Sequence, residues 1–225
     1  MNYQRLFSSD VPSFMRSPVR EIFRKVDLSA ICSFAGGYPA AVTFPVEDLR
    51  RLPGLVLDKY GTKSLQYGAT QGVPELREAI AKRYGVPVSR VQITTSSQQG
   101  IDVCTRILCD PGDVILTTEP TYLGALQSFK AYRADVRPIS SVRPPEPGEV
   151  CADAPAPKPR YKFIYVIPDF NNPSGETLTL AQREEIVALA RTKTVDSTRL
   201  VLRYRYGASI NDFEKLSFKF HLGCI

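Results

Sequence analysis

Ile93-Thr94-Thr95-Ser96-Ser97-Gln98-Gln99-Gly100 is the stretch on which the fold of this chain turns. Its β-branched start favours an extended strand, here 91–95. The small hydroxyl residues that follow suit the opening of a helix. First-turn N–H groups have no acceptor inside a helix, and the dipole there favours an anion such as phosphate. The helix is expected over 97–109, with Ile101, Cys104 and Leu108 on one face and Val103 and Ile107 beside it. Serine also opens many helices that bind nothing, so the stretch takes its weight from its neighbours.

On the C-terminal side the pattern alternates. Pro111-Gly112-Asp113 makes a turn, 114–116 a strand, 121–132 a helix and 134–139 a short strand. Pro144, Pro145, Pro147, Pro155, Pro157 and Pro159 make 141–160 a loop or linker. Phe163-Ile164-Tyr165-Val166-Ile167 is apolar throughout, as strands of parallel sheets are. Thr179-Leu180-Ala181-Gln182 has capping-box spacing and starts a helix to about Arg191. Leu200-Val201-Leu202 is expected as a last strand. On the N-terminal side, Ser17-Pro18 opens a helix with Ile22, Phe23 and Val26 on its apolar face. A second helix is expected over 45–59, interrupted near Pro53-Gly54. A third runs from Pro74 to Tyr84 and buries Leu76 and Ile80. Strands alternating with helices define an α/β fold, a mainly parallel sheet flanked by helices.

Composition narrows the function classes. The chain has 225 residues, 43% hydrophobic and 23% charged, as globular proteins do. Its net charge of +6 is spread along the chain. The tightest basic group is Arg199, Arg203 and Arg205, and no aromatic-basic RNA motif accompanies it, so no nucleic-acid partner is expected. Five cysteines, none in a CxxC pair, argue against a disulfide framework or a structural zinc and for a reducing compartment. His221 is the one histidine, which leaves little material for His-dependent acid–base chemistry. No apolar run reaches membrane-spanning length, so no membrane partner is expected. Arg5, Arg16, Arg20, Arg24 and Lys25 faintly resemble a mitochondrial transit peptide. An ordered basic arm in a cytoplasmic protein is the plainer expectation.

Three segments follow three of the expected strands: Ser96-Ser97-Gln98, Glu119-Pro120-Thr121-Tyr122, and Pro168-Asp169-Phe170-Asn171-Asn172-Pro173-Ser174-Gly175. Ligands of open α/β sheets bind outside the carboxyl ends of the strands. A phosphate cradle, an aromatic face and a side-chain amide gathered there suit a flat, phosphorylated, aromatic cofactor. Taken singly, a Tyr in such a place is usually packed, and Asn-Asn-Pro is usually a turn. No GxGxxG or GxxxxGK[ST] motif supports a nucleotide-binding domain instead.

Across 30–192 the chain resembles the N-terminal half of a class I/II aminotransferase, the fold-type-I enzymes that depend on pyridoxal 5′-phosphate (PLP). The resemblance rests on Leu65-Gln66-Tyr67-Gly68, Gly72-Val73-Pro74-Glu75-Leu76-Arg77, Thr94 to Gly100, Asp110-Pro111-Gly112-Asp113, Glu119-Pro120-Thr121-Tyr122 and Asn171-Asn172-Pro173-Ser174-Gly175, in that order. The start, with Ser17-Pro18-Val19-Arg20 and Ala35-Gly36-Gly37, is similar to the kynurenine/2-aminoadipate branch. The resemblance implies that Ser97 and Gln98 hold the cofactor phosphate, Tyr122 stacks on the pyridine ring, and Asn172 hydrogen-bonds the ring's phenolic oxygen. It implies a homodimer in which Tyr67 reaches the partner's site. Gly37, Tyr38 and Arg20 would line the substrate pocket, Arg20 pairing with a substrate carboxylate. The implied reaction moves an amino group from an aromatic or 2-aminoadipate/kynurenine-type amino acid to a 2-oxo acid. Ser96 stands where the branch usually has Gly.

The tail departs from the family. A lysine that carries the cofactor covalently and a carboxylate that pairs with the pyridinium nitrogen are both required. Where that Asp and a Tyr behind it are expected, the chain reads Leu200-Val201-Leu202-Arg203-Tyr204-Arg205-Tyr206. Lys219, in Leu216-Ser217-Phe218-Lys219, faintly echoes the lysine motif but arrives too early, and Lys193 and Lys215 lack context. No catalytic residue is therefore assigned. The expected organisation is an N-terminal arm (1–30), a partial PLP-binding large domain (31–192) and a divergent tail (193–225). This describes a truncated or mis-spliced aminotransferase, inactive alone. The alternative is a non-catalytic remnant that binds PLP or pairs with a full-length subunit.

Overall fold

Apolar side chains buried on both faces build the middle of the sheet. The computed structural model describes residues 6–7, 21, 24–26, 41–142, 159–193, 200–205 and 218–223. Five strands, β1 (Val114–Thr117), β2 (Asp135–Pro138), β3 (Tyr161–Val166), β4 (Leu200–Arg205) and β5 (Phe218–Gly223), form one sheet in the order β2-β1-β3-β4-β5. Every pairing is parallel. Helices α3 (Ser97–Leu108), α4 (Leu123–Ala131) and α5 (Leu180–Lys193) pack against it. The α/β expectation is met.

Successive strand residues point to opposite faces. Ile115, Phe163, Tyr165 and Ile167 therefore pack with Ile101 and Cys104 of α3 and with Ala125 and Phe129 of α4. Val114, Leu116, Ile164 and Val166 pack instead with Ile186 and Ala190 of α5. Phe129 meets Phe163 and Tyr165 edge-on, with ring centroids 5.8 and 5.5 Å apart. Such pairs add roughly 0.5–1.5 kcal/mol beyond the area they bury. The capping box forms as read: Thr179 N–H donates to Gln182 Oε1 at 2.9 Å, and Gln182 N–H donates to Thr179 Oγ1 at 3.3 Å.

The amino end of the sheet is fastened by charge. Asp113, 2% exposed, accepts from Asp110 N–H at 2.9 Å and is paired with Arg160, with Lys162 Nζ 3.6 Å away. Burial opposes ionisation of Asp113. The hydrogen bonds from Arg160 and Asp110 and the nearby cations outweigh it and hold the carboxyl below its ordinary 3.8. Asp113→Asn should lose about 1–3 kcal/mol of stability at neutral pH. A depressed carboxylate stabilises above its unfolded pKa and loses that contribution as pH falls through its folded value. The gap between variant and parent should thus close below pH 3.8 in urea titrations at stepped pH.

The segment 32–94 is a separate compact unit. It contains α1 (Val46–Tyr60) and α2 (Pro74–Tyr84). The expected break at Pro53-Gly54 is corrected: α1 is continuous through Pro53. Proline's fixed φ is helical, and on an exposed helix the carbonyl it leaves unbonded can be solvated. The expected strand at 91–95 is also corrected. Val91 is extended (φ −104, ψ 119), but among the described residues 91–94 pair with no strand. Their polar groups go elsewhere: Arg77 donates to Val91 O and Val88 O at 2.9 Å each, and Ile93 N–H donates to Gln71 O at 3.0 Å. That last contact needs Gly72, at φ +104, where a Cβ would lie 2.3 Å from Ile93 Cγ1. Leu76 is 37% exposed, not buried; Ala81 is the buried residue of α2.

Leu200-Val201-Leu202 is not the last strand. It extends to Arg205 as β4, and β5 follows on its outer side. The helix expected at Ser17-Pro18, the loop at 35–39 and most of 141–160 lie outside the described residues. No helix of the described residues is long and apolar enough to cross a membrane.

Candidate functional site

The carboxyl ends of β1 and β3 open into 118–122 and 167–179, beside the start of α3. Ser96 precedes α3 in extended conformation (φ −162, ψ 173), and Ser97 is its first residue. Gln99 reaches back to accept from Thr95 N–H at 2.6 Å, which fixes the chain's entry into the helix. The first-turn N–H groups around Ser97 and Gln98 have no acceptor within the helix ladder. The Gln98 side chain is engaged elsewhere: Nε2 donates to Gly124 O and Ser128 Oγ, both at 2.8 Å. Gln98 can therefore offer a ligand its main chain while its amide ties α3 to α4.

Tyr122 is the N-cap residue of α4 (φ −66, ψ 120) and is half-buried. Its ring lies over Gly124. A Cβ built at Gly124 would come within 2.5 Å of Tyr122 Cζ and within 2.5 Å of Gln98 Oε1. Glycine at 124 is what lets the ring and the amide meet over one backbone position.

The third segment is tied to the second. Asn171, 9% exposed, donates from Nδ2 to Pro120 O at 3.2 Å and to Ser174 Oγ at 2.9 Å. The turn closes through Gly175 N–H to Asn171 O at 2.6 Å and Asn171 N–H to Glu176 O at 2.8 Å. Asn172 follows it, exposed. Arg183 of α5 braces the loop: Nε donates to Leu178 O at 2.9 Å, and Nη2 donates to Pro168 O at 3.3 Å and to Asp169 Oδ1 at 2.6 Å. Asn171 and Arg183 were not singled out from the sequence. The adjacent Asn172 masked the first, and the second is a pairing across fourteen positions. Its one signal is an arginine in the first turns of a helix packed on the core.

Among the described residues, the buried side-chain polar atoms without a hydrogen-bond partner are Thr118 Oγ1, Thr121 Oγ1, Tyr165 OH and Asn171 Oδ1. All four fall at these same strand ends. Leaving such a group unmet costs about 1–3 kcal/mol, so their clustering marks a place where a polar ligand or fixed water is at home. An aromatic face, a helix start, hydroxyls and an amide fit a flat phosphorylated ring. They fit binding better than proton transfer. Burial pushes the thiol of Cys104 up to about 11, and burial, then the charge of Asp113, pushes that of Cys109 up to about 12, so neither is an ionised nucleophile at neutral pH. The described residues hold no His/Cys/Asp/Glu group suited to a metal.

Tyr67 belongs to the 32–94 unit and is fully exposed, while Gly37, Tyr38 and Arg20 lie outside the described residues. In backbone register Arg203 sits opposite Val166, and Lys219 sits opposite Val201, itself opposite Ile164. At about 3.3 Å per residue, Lys219 is roughly 10 Å below the carboxyl ends of the strands.

Comparison with known proteins agrees with this geometry. The family model "Aminotransferase class I and II" matches residues 57–195. Aromatic-amino-acid aminotransferase 1 of Thermococcus litoralis is 36% identical over 200 residues, covering 84% of this chain and 48% of the relative. The mitochondrial kynurenine/alpha-aminoadipate aminotransferase of Bos taurus is 29% identical over 222 residues, covering 85% and 52%. Among solved structures, an alpha-aminoadipate aminotransferase of Thermus thermophilus, complexed with N-(5′-phosphopyridoxyl)-L-leucine, superposes with a TM-score of 0.71 at 28% identity, covering 91% of this chain and 50% of that one. The chain thus spans about half the length of the curated relatives it matches. A parallel sheet whose strand ends gather these loops, and relatives that match across them, lead to one conclusion: the chain belongs to the class I and II aminotransferase family.

Proposed function

We propose that this chain binds PLP at the carboxyl ends of β1 and β3. In the whole protein it would serve transfer of an amino group from an aromatic or 2-aminoadipate/kynurenine-type amino acid to a 2-oxo acid. One observation carries this: Gln98 and Asn171 tie the three loops together at the place where the unpartnered buried polar atoms cluster. Ser97 and the first-turn N–H groups of α3 hold the phosphate. Tyr122 stacks on the ring, and the Asn172 amide donates to its phenolic oxygen. Asn171, Asp169 and Arg183 hold Asn172 in place. When bound, PLP supplies an electron sink for bond breaking at the amino-acid α-carbon. Arg20, Gly37 and Tyr38 are assigned to the substrate side by resemblance.

The chain alone is proposed to bind without turning over, with 193–225 as a divergent tail; the family match ending at residue 195 supports this. Lys219 stands too far down the sheet to serve as the cofactor's lysine. Pairing with a second copy is supported by exposed Tyr67 and by Leu49, Leu52 and Leu55 of α1, each about half exposed.

The test is a fluorescence titration of the full chain with pyridoxamine 5′-phosphate (PMP), whose amine cannot condense with surface lysines as the PLP aldehyde does. Saturable binding is expected, with Ser97→Ala and Asn172→Ala each about five- to tenfold weaker, the equivalent of one hydrogen bond. PLP followed by borohydride should leave no stoichiometric adduct on Lys219. Binding unaffected by both substitutions would refute the assignment.

A further inference from the structure

We infer that Tyr165 is a cofactor-holding residue, its hydroxyl donating a hydrogen bond to the ligand seated against Tyr122. This rests on the cofactor site proposed above. Tyr165 is completely buried, and its hydroxyl has no partner among the described residues. It lies near the end of β3, in register with Thr117, with its ring edge-on to Phe129 in the cluster against which Tyr122 packs.

The fold does not need that hydroxyl. Phe163, two residues earlier on the same strand face, makes the same edge-on contact with Phe129 and is equally buried. Phenylalanine at 165 would satisfy the packing and spare the cost of an unmet polar group. The oxygen therefore sits there at a cost that no described residue offsets. Its place points to what does. Thr121 and Asn171, which also keep unpartnered buried oxygens, belong to the two segments that flank the same site. Burial, then the charge of Tyr122, holds the Tyr165 phenol above its ordinary 10.0. It stays protonated at physiological pH and acts as a donor, which the phosphate and phenolic oxygens of the cofactor can accept.

Tyr165→Phe separates the two roles, because they predict opposite signs. In the full chain without ligand, the variant should unfold at the same or a higher temperature than the parent. Its dissociation constant for PMP should rise at least about five- to tenfold, the loss of one hydrogen bond. Thr121→Val, a second variant at the same cluster, should likewise weaken PMP without lowering the ligand-free unfolding midpoint. Unchanged PMP affinity in Tyr165→Phe would overturn the inference while leaving the site intact. A fall in ligand-free stability matching the loss of affinity would overturn it in favour of a structural hydroxyl. Failure of the parent chain itself to bind PMP would refute the underlying site, and this inference with it.

Discussion

Arg183→Ala should cost this chain about 3–5 kcal/mol, the range for removing one partner of a buried ion pair. The side chains of Arg183 and Asp169 are 10% and 18% exposed, and their N–O distance is 2.6 Å. Truncating the arginine leaves the Asp169 carboxylate unpaired where it is largely shielded from water. It also releases Pro168 O and Leu178 O, which the same guanidinium holds. Pro168 and Leu178 bracket the loop that presents Asn172, and Leu178 N–H already donates to Pro168 O at 2.8 Å. The loop's two ends are thus clamped together by one side chain. Urea unfolding should show the loss, and amide exchange should quicken over 169–178. Arg183→Lys should recover little, since one ammonium cannot reach three acceptors in the fork geometry. Asp169→Asn in the Arg183→Ala background should regain part of the stability, because the stranded charge is gone. If the double variant were no better than Arg183→Ala, the buried charge would not be the cause.

Gly124→Ala should strike binding harder than stability. The new Cβ would lie 2.5 Å from both Tyr122 Cζ and Gln98 Oε1. Both are far ends of side chains, so they can swing aside, at about 1–3 kcal/mol for overpacking. What they leave behind is the stacking surface and the tie between α3 and α4. PMP affinity should fall at least about tenfold, a loss on the order of 1.4 kcal/mol in binding, with the unfolding midpoint lowered more modestly. Gly54, by contrast, has nothing within 4 Å of a Cβ, and Gly54→Ala in α1 should leave PMP affinity unchanged. A Gly124→Ala chain that binds like the parent would show that Tyr122 does not stack where its ring now lies.

Local signals wrote most of the fold into the sequence. The apolar run 163–167 announced a strand buried on both faces, and Thr179 with Gln182 announced the start of α5; both formed. Errors came where the outcome depends on a distant partner. The β-branched residues near Ile93 look like a strand, yet their partners are the donor Arg77 and the acceptor Gln71 O. Pro53 looks like a break, yet the exposed helix tolerates it. β5 was legible and missed: Phe218, Phe220 and Leu222 alternate with Lys219 and His221, the period of a strand. At the site, Ser97, Gln98, Tyr122 and Asn172 were accessible through loop chemistry and family resemblance. Asn171 and Arg183 act through bonds to Pro120 and Asp169, and Tyr165 is marked by a bond it lacks. Such features exist only in three dimensions.

If PLP binds as proposed, three loops close on one phosphorylated pyridine. Hydrogen–deuterium exchange of the full chain with and without saturating PMP follows all three loops at once. Joint protection over 95–100, 118–124 and 169–176, with 46–60 unchanged, is expected. Protection of one of those loops without the other two, or protection confined to other parts of the chain, would refute the shared site.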